Sequence, residues 1–260
     1  MLKTKTINNF SGCERSNIMT KKNLLFLGIL FSALVIPKTV FAMHIMEGFL
    51  SPLWSISWGA LCIPFIFLGL SSINKKIKDN PKLKIILGVS AAFTFVLSAL
   101  KLPSLTGSCS HPTGIGLGAI IFGPTAMSVI GLIVLIFQAL LLAHGGLTTL
   151  GANTFSMAIV GSLVSYFTYK LVKKMKGPQW LAVFLAAALG DLLTYVTTSV
   201  QLALAYPSAT GGFTESLIKF LGVFAVTQIP LAISEGLLTV LIFNSLKSYN
   251  STELEELNVI

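Results

Sequence analysis

Long apolar segments alternate along the chain with short polar loops that hold most of its lysines. Beyond residue 42, the apolar segments run approximately 53–73, 85–100, 114–144, 147–170, 179–205 and 216–245. Several approach or exceed the roughly 20 residues that a helix needs to cross a bilayer. Pro124 divides the third segment, because proline lacks the amide donor that a helix interior requires. The pattern therefore predicts an all-α integral membrane protein, a bundle of seven transmembrane helices.

Two lysine-rich loops predict the direction of each crossing. Residues 74–84 read NKKIKDNPKLK and residues 170–176 read KLVKKMK. Short cytoplasmic loops carry an excess of lysine and arginine, so both should lie inside the cell. If the mature amino terminus lies outside, both loops can be cytoplasmic only if residues 104–146 cross the membrane twice or not at all. Two crossings give the seven helices, and a single re-entrant hairpin is the alternative.

The segment before Pro124, GIGLGAIIFG, is short for a crossing. Ten residues of helix rise only about 15 Å, so this helix must be extended by flanking residues or shielded from lipid by the bundle. Gly114, Gly118 and the pair Ala119 and Gly123 have the spacing of small residues that lets two helices approach closely. We therefore expect this helix to be buried against a neighbour.

Residues 1–42 have the pattern of a secretory signal peptide. Lys21 and Lys22 precede a short apolar run, NLLFLGILFSALVI, and small residues lead to a cleavage site after Ala42. An uncleaved first helix is the alternative. Met19 would be a more ordinary start for such a signal, which makes residues 1–18 an upstream extension.

After cleavage at Ala42, the mature chain is predicted to consist of two parts. We expect residues 43–247 to form one transmembrane domain and residues 248–260 to form a cytoplasmic tail. The acidic stretch ELEEL in that tail is expected to be a solvated terminus.

Composition supports a membrane protein and excludes a nucleic-acid-binding one. The 260 residues are 54% hydrophobic and 10% charged, with a mean hydropathy of +0.84. The net charge of +9 falls to +4 when the residues before Met43 are left out, and the remaining lysines lie mainly in loops. Cys13, Cys62 and Cys109 are far apart and form no zinc-finger or disulfide pattern.

Charged residues inside apolar segments are costly and usually paired or functional. Asp191 and Glu235 are two such residues. Gln138, Asn153 and Gln228 are predicted first to form hydrogen bonds between helices. An intramembrane metalloprotease would use a metal with acids of this kind, but the sequence has no HExxH motif.

The three histidines, His44, His111 and His144, are all predicted to lie near the outer side. Taken singly, each is more often structural than a metal ligand. Cleavage after Ala42, however, makes Met43 and His44 the first two residues. The Met43 amine, the backbone nitrogen of His44 and its Nδ1 can then close two fused chelate rings on one ion.

His111 can complete a square of nitrogen donors with this terminal chelate. Such a tetragonal environment suits nickel, copper or low-spin cobalt, and ligand chemistry alone does not choose among them. Cys109, two residues before His111, is a weaker candidate for a thiolate ligand.

Three long motifs resemble the CbiM family, the cobalt-binding S component of energy-coupling factor (ECF) transporters. They read MHIMEGFL, TGSCSHPTGIGLGAIIFGP and FQALLLAHGGLTTLGANTFSMAIVG. The nickel-binding sibling family, NikM, is similar but typically begins MHIPDG. The resemblance extends from Met43 to about Lys247.

The resemblance implies a membrane substrate-binding subunit rather than an enzyme, with Co(II) as its transported substrate and Met43, His44 and His111 as ligands. His144 and Asn153 would orient those ligands by hydrogen bonds. The implied partners are a small CbiN-like accessory protein, a CbiQ-like coupling membrane protein and a CbiO-like cytoplasmic ATPase. The chain itself has no GxxxxGK[ST] motif for ATP. The setting would be the plasma membrane of a prokaryote, with uptake supplying cobalamin synthesis, and nickel uptake is the alternative.

Overall fold

The computed structural model describes residues 44–103 and 109–260, with the side chains of Pro103 and Cys109 left undescribed. The predicted signal peptide, the ligand Met43 and the thiolate of Cys109 therefore lie outside the described part. The described helices, in chain order, are α1 (Pro52–Asp79), α2 (Leu83–Ala99), α3 (Ile115–Phe122), α4 (Pro124–Leu142), α5 (Leu150–Lys174), α6 (Gln179–Ala205), α7 (Gly212–Tyr249) and α8 (Ser251–Glu256). Two short strands, β1 (Leu102–Pro103) and β2 (Cys109–Ser110), pair antiparallel before α3.

Local chemistry explains where several helices begin and end. Prolines stand at the start of α1 and of α4, where the missing amide costs nothing. Lysines occupy the last turns of α1 and α5, where they complement the negative end of the helix dipole. The division predicted at Pro124 is present, because α3 and α4 are separated by Gly123 alone, at a φ of 86° that favours glycine.

Five helices in the described part, α1 and α4 to α7, are long and apolar enough to cross a membrane. The chain is thus a multi-pass, predominantly helical membrane protein. Helix α2 is a shorter apolar helix of 17 residues. The eight residues of α3 rise about 12 Å, well short of the roughly 30 Å hydrocarbon core.

Helix α3 lies inside the bundle, and so does the segment that leads into it. Every residue from Ser110 to Phe122 is buried. Small residues make this packing possible: a Cβ on Gly116 would lie 2.8 Å from Cα of Ala187 in α6. Gly118 faces the Met127 side chain in α4, as the small-residue spacing predicts. A Cβ on Gly123 would have no neighbour within 4 Å, so this glycine is needed for the turn between α3 and α4 and not for close packing.

Contacts between helix ends place Lys76 and Lys247 at the end of the bundle opposite to the histidines. Lys76, near the end of α1, donates to the Phe122 carbonyl at the end of α3 (2.7 Å). Lys247, near the end of α7, donates to Gln179 at the start of α6 (3.1 Å). At the other end, Tyr206 after α6 donates to the Phe49 carbonyl, which precedes α1. Successive long helices therefore alternate in direction.

The carboxyl-terminal segment packs on the bundle, so the expectation of a fully solvated tail is wrong. Leu254 and Val259 are buried in the hydrophobic core. The Tyr169 hydroxyl in α5 donates to the Val259 carbonyl (2.6 Å), and Asn80 donates to Glu256 (2.6 Å). The acids of ELEEL face outward while its apolar residues anchor it, which is the arrangement of an amphipathic helix.

Candidate metal site

Three separate segments bring the three histidines together. His44 lies in the loop before α1, His111 in the buried segment before α3, and His144 directly after α4. Their solvent exposures are 3%, 0% and 2%. One nitrogen from each ring can be chosen so that all three lie within 4.8 Å of one another. This spacing is compatible with three nitrogen donors around one metal ion.

One ring nitrogen of His44 faces one ring nitrogen of His111. His44 Nδ1 lies 2.6 Å from His111 Nε2. His111 Nδ1 lies 3.0 Å from the Pro112 carbonyl, so the hydrogen-bond pattern assigns the ring proton of His111 to Nδ1 and leaves a lone pair on Nε2. His44 Nδ1 then donates to that lone pair. An ion bound to both nitrogens takes the place of this hydrogen bond.

Burial keeps all three rings neutral. Removal from water, together with the neighbouring His111 and His144, lowers the pKa of His44 well below its usual value. Burial lowers the pKa of His111 to about 4 and that of His144 to about 3. Neutral imidazole is the form that binds a metal, because a protonated ring has no lone pair to donate. The cluster is therefore ready to bind a cation at neutral pH.

His144 differs from the other two histidines in its contacts. Its ring centroid lies 4.6 Å from that of His44 and 4.8 Å from that of His111. Neither of its nitrogens has a hydrogen-bond partner among the described residues, although both are buried. Buried polar atoms are nearly always paired, so an unpaired imidazole beside two potential ligands fits a cation-binding pocket.

Asn153 holds the loop that carries His44. The Ile45 amide donates to Asn153 Oδ1 (2.8 Å), and Asn153 Nδ2 donates to the Ile45 carbonyl (3.0 Å). The Thr149 hydroxyl donates to the same carbonyl (2.6 Å). Both backbone groups next to His44 are thus fixed by the start of α5. Directly after Asn153, α5 widens into a π-helical segment, Thr154–Gly161, a form often found at functional sites.

Two further loop contacts were not identified from the sequence. Glu47 accepts hydrogen bonds from the amides of Leu147 (2.5 Å) and Thr148 (3.3 Å), and the Gly48 amide donates to Thr148 (2.9 Å). The sequence signal was present, since a lone acid in a loop commonly binds the free amides of a turn. These contacts join the loop of residues 44–51 to the segment that follows His144.

Gln138 and Gln228, polar residues within the helices, make the contacts that were expected between helices. Gln138 in α4 donates to Ser98 in α2 (2.6 Å). Gln228 in α7 donates to Asp191 in α6 (2.6 Å) and to the His111 carbonyl (3.2 Å). In the described part of the chain, neither Asp191 nor Glu235 belongs to a group that could hold a metal. This arrangement does not favour the metalloprotease alternative.

Comparison with known proteins identifies the family. Residues 44–253 match the sequence model of CbiM, described as a cobalt uptake substrate-specific transmembrane region. The chain belongs to the CbiM family. The match covers the loop of His44, both other histidines and every described transmembrane helix.

Individual CbiM relatives match over nearly their whole length. The cobalt transport protein CbiM of Moorella thermoacetica is 62% identical over 236 residues, which is 91% of this chain and 91% of that protein. The cobalt transport protein CbiM of Thermosipho melanesiensis is 65% identical over 223 residues, 85% of this chain and 94% of that protein. Such identities imply one fold with a shared arrangement of helices.

A solved crystal structure, that of a truncated transition metal transporter, has the same fold. It aligns with a TM-score of 0.70 at 26% identity, covering 79% of this chain and 99% of that one. The CbiM family fold therefore coincides with that of a transporter of transition metals.

Proposed function

We propose that this chain is the membrane substrate-binding subunit of an ECF-type ABC transporter, and that it captures Co(II) at the outer face of a prokaryotic plasma membrane for import. The observation that carries the proposal is the 2.6 Å approach of His44 Nδ1 to His111 Nε2 within a buried cluster of histidines. Membership of the CbiM family and the relatives named as cobalt transport proteins support cobalt as the substrate.

In the proposed site, signal peptidase creates the ligand. Cleavage after Ala42 frees the amine of Met43, which joins the His44 backbone nitrogen and Nδ1 in a planar chelate. His111 Nε2 fills the remaining corner. Asn153 and Thr149 keep this terminus in place by holding Ile45 on both sides of its backbone.

Ligand chemistry does not decide between cobalt and nickel as the substrate. Metal uptake and metal content must therefore be measured. Cells that express the chain with its transporter partners are expected to accumulate cobalt in preference to nickel when both are supplied at equal low concentration. Metal analysis of the purified protein should show the same order. The matched control is His111→Ala. A preference for nickel in both measurements would assign the chain to nickel uptake instead.

The remaining components of the transporter are proposed from the family. ATP hydrolysis belongs to CbiO-like cytoplasmic subunits, coupling to a CbiQ-like membrane protein and accessory function to a CbiN-like small membrane protein. Imported cobalt would supply cobalamin synthesis. In this transporter, the lysine-rich end of the bundle faces the cytoplasm and the histidines face the outside. The excess of lysine in cytoplasmic loops predicts the same orientation.

The proposed orientation predicts which residues a membrane-impermeant thiol reagent reaches in intact cells. In a variant without native cysteines, Lys78→Cys and Lys174→Cys should stay unlabelled, although both positions are exposed on the bundle. Ala209→Cys, in the loop between α6 and α7, is the control and should be labelled readily. Labelling of either lysine position in sealed cells would contradict the seven-span topology.

A further inference from the structure

Two carboxyl groups lie buried side by side in the bundle, outside the histidine cluster. Asp191 in α6 and Glu235 in α7 are both 0% exposed, and their carboxyl groups are near enough to interact electrostatically. The charge of Glu235 acts directly on the Asp191 carboxyl. Two neighbouring carboxylates are not both ionised in a dry interior, so we infer that the pair carries at least one proton.

The hydrogen-bond donors around the pair show which residue carries the charge. Glu235 Oε2 accepts from the Thr113 amide (2.5 Å), and Oε1 accepts from the Gly114 amide (2.9 Å) and the Thr113 hydroxyl (3.0 Å). An ionised carboxylate only accepts hydrogen bonds, and this one is surrounded by donors. It also stands before the first turn of α3, where the helix dipole favours a negative charge.

Asp191 has the opposite environment. Its Oδ2 accepts from Gln228 (2.6 Å), whereas its Oδ1 is buried and accepts no hydrogen bond among the described residues. A proton on Oδ1 would make this unpaired atom a donor, which is the group that a neighbouring carboxylate can accept from. The arrangement is satisfied by one neutral carboxylic acid and one carboxylate.

The pair is joined to the metal-binding segment at two points. Thr113 and Gly114 follow His111 and Pro112 directly, and Glu235 holds both of their amides. Gln228 bridges from Asp191 to the His111 carbonyl (3.2 Å). Residues 111–114 thus rest on α6 and α7 through this polar network, while the His111 ring reaches towards His44.

We propose that Asp191 and Glu235 share a single proton carried by Asp191, and that the ionised Glu235 is the positioning residue that aligns the His111 segment with His44 for metal binding. The inference rests on the proposed function for its effect on cobalt. The protonation pattern itself is a property of the protein without metal.

The two acid-to-amide substitutions should have different effects. In Asp191→Asn, the side-chain oxygen still accepts from Gln228 and the new NH₂ group still donates to Glu235, so cobalt affinity should remain within about threefold of wild type. In Glu235→Gln, an NH₂ group replaces one of the two carboxylate oxygens and faces the backbone amide of either Thr113 or Gly114, where two donors cannot bond. We expect cobalt affinity to fall about 10 to 100-fold, the usual cost of losing a group that orients a ligand. Glu215→Gln, an exposed acid on the same helix, is the control.

Infrared spectroscopy tests the shared proton directly on purified protein without metal. Wild type should show the C=O stretching band of a buried protonated carboxylic acid, and Asp191→Asn should remove it. Absence of the band in wild type, or its survival in Asp191→Asn, would overturn the proposal. So would equal losses of cobalt affinity in both amide variants.

The cobalt-binding and infrared measurements distinguish a failure of this inference from a failure of the proposed function. If wild type fails to bind cobalt, the proposed function fails, and the infrared result still decides the protonation pattern. If Glu235→Gln does not yield folded protein, Glu235→Asp supplies the affinity test. A shorter carboxylate keeps the charge but cannot reach both amides, so it should bind cobalt more weakly than Asp191→Asn, and equal or tighter binding would contradict the positioning role.

Discussion

Replacement of His111 by alanine is expected to reduce the cobalt retained by the purified protein nearly to background. The substitution removes one nitrogen donor and leaves His44 Nδ1 without the partner that now lies 2.6 Å away. Cobalt per chain after size-exclusion chromatography, measured by mass spectrometry of the metal, checks this result.

His144→Ala is the matched control for this prediction. It removes a buried imidazole from the same cluster, but this imidazole is not one of the four predicted nitrogen donors. We expect a loss of about 10 to 100-fold in affinity, as for a group that supports the ligands from outside. Full occupancy in His111→Ala together with an empty site in His144→Ala would reverse the two roles. Circular dichroism shows whether both variants keep the helical content of wild type.

Local sequence features predicted the parts of the fold that local chemistry controls. Pro124 marked the boundary between α3 and α4, because proline lacks the amide donor and disfavours the interior of a helix. The ten-residue apolar segment before Pro124 predicted a short helix shielded by the bundle, and α3 is buried throughout. The apolar run lengths predicted the long helices to within a few residues at most ends, although α7 begins earlier and extends to Tyr249.

The remaining features depend on contacts between distant residues and left weaker signals. The tail looked solvated because its acids are visible in the sequence, whereas the burial of Leu254 and Val259 depends on α5. Asn153 was a polar residue in need of a partner, but a sequence does not show that the partner is Ile45, 108 positions away. Asp191 and Glu235 each stood out as charged residues within apolar segments, where a charge is costly. Their pairing, however, depends on how α6 packs against α7.

The terminal chelate itself predicts a second large effect. One alanine inserted between Ala42 and Met43 makes the mature chain begin Ala-Met-His while every original side chain is kept. The amine, two amides and the His44 imidazole can then fill all four corners of the square, which displaces His111. The chain cannot restore the original spacing by sliding, because Asn153 and Thr149 hold Ile45 and Glu47 holds the following turn. Copper or nickel binding at the exposed terminus is expected to survive.

Cobalt uptake by this insertion variant, with its new amino terminus confirmed by sequencing, is the most direct test of the proposed site. The matched control is an alanine inserted within the signal peptide before Val40, which leaves the mature chain unchanged. We expect normal processing of both variants, wild-type uptake by the control and loss of uptake by the variant that begins Ala-Met-His. Uptake at the wild-type rate by that variant would contradict a metal site built on the Met43 amine.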